Sequence, residues 1–98
     1  MPESDSQKAA RLRPAEDVVA RRLEDSIVLV NLRTNLIFEL NVTSARLWEL
    51  IVEGCDRGEL ERRMSQEFDV DDKTLGVEIT TLLDSLREAG LVTADVDA

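Results

Sequence analysis

Leu36-Ile37-Phe38-Glu39-Leu40-Asn41-Val42-Thr43-Ser44-Ala45-Arg46-Leu47-Trp48-Glu49-Leu50 is the stretch whose reading decides the fold. Its first five residues form an apolar run of strand length, and the residues after it carry the spacing of an amphipathic helix. Asn41 and Thr43, both good cap residues, stand at the junction with no Gly or Pro between them. The strand therefore ends where the helix begins, and the two elements are held in a fixed relation.

Upstream, Ser26-Ile27-Val28-Leu29-Val30-Asn31-Leu32 is the strongest strand signal, continuous in β-branched and aliphatic residues. Arg33-Thr34-Asn35 supplies a short turn to the Leu36–Leu40 strand, with Asn35 able to take a positive φ. Val18 to Leu23 is a first strand, assigned to an edge because of Arg21 and Arg22. Such short connections force antiparallel neighbours, so the expectation is a three-stranded meander.

Three helices are expected downstream. The first, Val42 to Val52, leaves only Thr43, Arg46 and Glu49 on a clearly polar face, which makes it central, with Trp48 as its largest core side chain. Gly54 is placed to end it in a left-handed cap. The second opens at Asp56, with Glu59 three residues on as a capping box, and spaces Leu60, Met64 and Phe68 by four. The third starts at Asp71 or Asp72 and reaches Ala89 before Gly90, with Leu75, Ile79, Leu82, Leu83 and Leu86 in one arc. Val77 falls opposite that arc, as an isolated surface valine or a small contact patch. The fold class read from this order is α+β, a three-stranded antiparallel meander followed by three helices. Residues 1–16 read as a mobile arm, 17–92 as the domain and 93–98 as a frayed tail.

Composition excludes several kinds of function. With 98 residues the chain makes one domain, and no histidine and one cysteine leave little for chemistry. Cys55 alone forms no internal disulfide and no Cys-based zinc cluster, and it fits a reducing cytoplasm, the expected location. The net charge is −9, and residues 53–98 hold most of it, with 13 acids against 5 bases. That field repels phosphate backbones, so no nucleic acid is expected as partner. No apolar run is long enough for a membrane span, and no signal-peptide core opens the chain.

Asp69, Asp71 and Asp72 form an acidic cluster, but an EF-hand loop would need a Gly and a Glu at positions this run lacks, and helix capping accounts for it. No catalytic constellation and no glycine-rich phosphate loop is present, so neither an enzyme nor a bound cofactor or metal is expected. One feature remains without a structural account. As the last strand of a meander, Leu36 to Leu40 leaves one row of backbone groups unpaired, blunted only by Glu39. Either another part of the chain covers that edge, or an extended peptide adds to it as a further strand.

The Leu40-Asn41-Val42-Thr43-Ser44-Ala45 junction and the closing Leu83-Asp84-Ser85-Leu86-Arg87-Glu88-Ala89-Gly90-Leu91-Val92 resemble the PqqD-like family over about residues 17–92. These are winged-helix-like leader-recognition domains of ribosomal peptide biosynthesis, also called RiPP recognition elements. The resemblance implies that the leader of a precursor peptide is clamped between the third strand and the third helix, then delivered to a separate modifying enzyme. Carried onto this chain, the strand positions are Leu36, Ile37, Phe38, Glu39 and Leu40, and the helix positions are Leu75, Glu78, Ile79, Leu82, Leu83 and Leu86. A free-standing domain of this size is similar to the recognition subunits of lasso-peptide clusters, where a leader peptidase and a cyclase act on the captured precursor. It also resembles the carrier of pyrroloquinoline quinone biosynthesis, which works beside a radical-SAM enzyme; the lasso type is favoured. Departures are Ser44-Ala45 after Thr43, where many members have Ala directly, and Val52-Glu53-Gly54-Cys55 in place of a short Asp-Gly turn. The rivals are a winged-helix transcriptional regulator, disfavoured by charge, and a module whose open strand pairs with its own copy, so the chain is expected as a monomer or weak dimer.

Overall fold

The computed structural model describes residues 11–95. In chain order these form β1 (Arg11–Pro14), β2 (Val18–Leu23), β3 (Ser26–Asn31), β4 (Leu36–Leu40), α1 (Val42–Glu53), α2 (Arg57–Glu67), α3 (Asp72–Glu88) and β5 (Val92–Asp95). The three-stranded sheet runs β2-β3-β4, antiparallel throughout, so the expected α+β meander with three helices is the fold observed.

Local signals account for most of the boundaries. Glu24 turns the β2–β3 hairpin at φ 44°, and Asn35 turns the β3–β4 connection at φ 63°. The Asn41 side chain caps α1 by accepting from the Ser44 amide at 3.0 Å, and Gly54 closes it at φ 98°. Asp56 and Glu59 form the reciprocal capping box of α2, at 2.9 and 3.0 Å. Asp71 caps α3 through the Thr74 amide, and Gly90 ends it at φ 72°.

The core lies between the inner face of the sheet and the helices. Ile27, Leu29 and Leu40 point inward from β3 and β4, and Leu47, Trp48, Leu50 and Ile51 meet them from α1. Met64 of α2 and Leu75, Ile79 and Leu86 of α3 complete it. Trp48 is buried as expected, whereas Val42 and Val52 are exposed, so the apolar arc of α1 is narrower than its residue types suggest.

One polar side chain is buried in this core. Asn31 donates from Nδ2 to the carbonyls of Ala89 and Gly90, both at 3.1 Å, and accepts from the Arg33 amide at 2.9 Å. It thereby ties the end of β3 to the end of α3, whose last carbonyls have no partner within the helix.

Beyond the expected 17–92 bounds, the described chain holds two further short strands. Arg11–Pro14 and Val92–Asp95 pair as a separate antiparallel ribbon, with Leu12 opposite Ala94 and Pro14 opposite Val92. Strand pairing among the described residues therefore runs from Arg11 to Asp95. Leu91 and Val92 are buried and draw the chain back onto the core, which brings the two short segments together. The rest of the proposed arm, residues 1–10, and residues 96–98 of the tail lie outside the described residues.

Candidate functional site

Strand β4 has β3 on one side and no partner on the other among the described residues. Register shows which groups face that vacancy. Leu32 donates its amide to Asp17 at 2.8 Å, so Val30 and Val28, in step with Leu32, also direct their backbone groups toward β2. Ile27, Leu29 and Asn31 must then bond β4, through their partners Leu40, Phe38 and Leu36. The N–H and C=O groups of Ile37 and Glu39 are left facing the open flank. Ile37 is 70% exposed and Leu36 51%, so this edge is apolar as well as unpaired.

Beside the end of β4 opens a pocket of about 220 Å³. Leu75, Glu78, Ile79 and Leu82 of α3 form one wall. Thr43, Ser44 and Leu47 from the first turns of α1 form another, with Met64 of α2 beneath and Asn41, the residue directly after β4, at the rim. Its lining is mainly apolar, and Glu78 is its one charged residue.

The eleven residues expected at the site thus divide. Leu75, Glu78, Ile79 and Leu82 meet at the pocket; Leu36, Ile37 and Glu39 lie exposed along the edge; Phe38 is half-buried against the core. Leu40, Leu83 and Leu86 belong to the core and do not line the pocket. Asn41, Thr43, Ser44, Leu47 and Met64 line it without having been expected there. Asn41 and Thr43 stand in the sequence as cap residues directly after an edge strand, and that is the available signal.

Ion pairs brace the pocket from behind. Arg46 of α1 grips Glu67 of α2 with two hydrogen bonds, at 2.7 and 2.9 Å, and also reaches Glu49, which pairs with Arg22 of β2. The hydrogen bond to Arg46 holds the Glu67 carboxyl below the usual carboxylate range and raises Arg46 in turn. This clasp fixes α2, and with it Met64, against α1. Arg57 joins α2 to α3 by donating to the Gly76 carbonyl at 3.1 Å and to Thr80 Oγ1 at 2.8 Å.

Cys55 is buried, and that burial pushes its thiol up, away from the thiolate a nucleophile needs. Among the described residues no group of three or more His, Cys, Asp or Glu is placed to hold a metal, and no helix is long and apolar enough to cross a membrane. The arrangement suits binding an extended chain: backbone pairing along β4, and a side-chain pocket next to it.

A sequence model of the family described as "Coenzyme PQQ synthesis protein D (PqqD)" matches residues 26–92. No curated protein matches the chain. Among solved structures, "TbiB1 in Complex with the TbiA(beta) Leader Peptide" superposes with a TM-score of 0.80 at 27% identity, covering 87% of this chain and 99% of that one. "Lasso peptide synthetase B1 complexed with the leader peptide" superposes with a TM-score of 0.77 at 20% identity, covering 85% and 98%, a likeness of fold.

Proposed function

The chain belongs to the PqqD family, and from that premise we propose that it is an adaptor without catalysis of its own, binding the leader segment of a ribosomally made precursor peptide. The observation that carries this reading is the vacancy at Ile37 and Glu39 beside the pocket walled by α3. An extended peptide lying along β4 satisfies both sets of backbone groups, and alternate side chains then turn toward the pocket and toward solvent. Covering Ile37 and Leu36 in the same step contributes about 1.5–3 kcal/mol for each side chain fully buried.

Chemistry is left to other proteins, because the chain has no histidine and its one thiol is buried. The enzymes that receive the peptide are a leader peptidase and a cyclase of a lasso-peptide pathway. That choice follows from the resemblance to the recognition subunits of lasso-peptide clusters; the relative at 27% identity, described as bound to a leader peptide, supports leader binding alone. The family's description favours a second reading, a carrier for the precursor of pyrroloquinoline quinone. A DNA-binding role fits poorly, since α3 carries Lys73 and Arg87 against Asp72, Glu78, Asp84 and Glu88.

Calorimetric titration of the full chain with the leader of the precursor encoded beside its gene tests the proposal. Saturable binding with one leader per chain is expected. No saturation up to about 50 µM leader would remove it.

A further inference from the structure

The proposed edge also carries information about what it accepts. This inference rests on the strand-addition reading and concerns the charge of the incoming segment.

Glu39 projects from the outer face of the sheet, and its N–H and C=O face the open flank. A residue of an added strand directly opposite Glu39 therefore forms a hydrogen-bonded pair with it, its side chain on the same face, about 5.5 Å away between Cα atoms. The nearest base in that cross-strand row is Arg21, on the far side of Val28. Six ion pairs occur among the described residues, engaging Asp17, Glu49, Glu53, Glu61 and Glu67; neither Glu39 nor Glu78 belongs to any of them.

Both openings next to β4 share this sign. Glu78 is the one charged residue of the pocket beyond Asn41. A second depression, at the same end of β4 on the outer side, has Glu24, Asp25 and Glu39 as its charged members and no base. An acidic residue opposite Glu39 would face like charge on a face with no nearby compensation. A cationic one would meet a carboxylate that takes part in none of the ion pairs among the described residues, within the field of a chain of net charge −9.

We infer that the bound segment carries a lysine or arginine opposite Glu39, flanked by apolar residues that turn inward toward α3, with Glu78 adding preference for positive charge at the pocket rim. Glu39 is thus a specificity-determining residue for peptide charge, acting as much by rejecting acidic segments as by attracting basic ones.

Selection of a random library of peptides about twelve residues long, displayed on phage, against the immobilised full chain tests this without knowing the natural ligand. The expected winners carry Lys or Arg at one position between apolar neighbours. That preference disappears when the same library is selected against Glu39→Gln, and weakens against Glu78→Gln. Affinity of a winning peptide should fall about twofold to fivefold with Glu39→Gln at low salt, the range of an exposed ion pair, and the difference should shrink at high salt. Winners without cationic preference, or the same preference against Glu39→Gln, overturn the inference and leave strand addition standing. No enrichment over the bare support overturns both.

Discussion

Ile37 and Glu39 present their amide and carbonyl groups to the same unpaired flank of β4, one on either side of Phe38, whose own groups are used on Leu29. Proline separates these roles because it deletes a backbone donor. Ile37→Pro removes a donor that nothing in the described chain uses, and proline is tolerated on edge strands in that orientation. The fold should survive with a melting temperature a few degrees lower, while leader affinity falls about tenfold or more. Phe38→Pro removes a ladder bond to β3 and leaves the Leu29 carbonyl without its donor, which should cost about 1–3 kcal/mol. Circular dichroism melts and calorimetric titration of both variants check this, and equal loss of fold in the two would contradict the register.

Leu82 and Leu86 lie four residues apart on α3 but belong to different surfaces. Leu86 is buried in the core, while Leu82 is half-buried and lines the pocket. Leu86→Ala should lose about 2–5 kcal/mol of stability. Leu82→Ala should lose less than half of that and yet weaken leader binding more. Urea unfolding beside titration separates the two effects.

Much of this fold was legible in sequence because its signals are local. Asn35, Gly54, Gly90 and the Asp56–Glu59 pair each fix a turn or a helix end through their own backbone chemistry, and each does so in the structure. The β1–β5 ribbon was not legible. Arg11-Leu12-Arg13-Pro14 and Val92-Thr93-Ala94-Asp95 are short, far apart in sequence and without apolar alternation strong enough to announce a strand. The pocket was half legible: one helical arc holds Leu75, Ile79, Leu82, Leu83 and Leu86, and periodicity cannot say which neighbour each will meet. Met64 and Leu47 join the pocket because three helices converge there, a relation no local pattern encodes.

Asn31 should prove costly to replace. Asn31→Leu leaves the Ala89 and Gly90 carbonyls and the Arg33 amide without their partner, for about 1–3 kcal/mol. Gly90→Ala strains a φ of 72° and sets a Cβ 3.0 Å from Asn31 Nδ2, so it should cost about 1–2 kcal/mol. The two losses should not add in the double variant, because both loosen the same joint. Denaturant unfolding of the four proteins measures this.

The Arg46–Glu67 clasp makes stability depend on pH in a defined direction. Glu67 has its carboxyl held down in the folded state, so its contribution is present above the ordinary glutamate range and lost as pH falls through the depressed folded value. Both side chains are partly exposed, so the contribution is about 0.5–1 kcal/mol. Glu67→Gln should be less stable than the native chain at neutral pH and converge with it as pH falls below the ordinary glutamate range and through the depressed folded value. Unfolding curves across that range check the sign; a difference that grows on acidification would contradict it.

Backbone pairing at the open flank of β4 is most directly read by amide hydrogen exchange at Ile37 and Glu39, with and without leader, while Phe38 serves as the internal reference. Exchange at Ile37 and Glu39 should be fast in the free chain and slow when leader is bound, with Phe38 protected in both states. If leader binds saturably while both amides exchange as fast as before, the peptide is held elsewhere and strand addition at β4 is wrong.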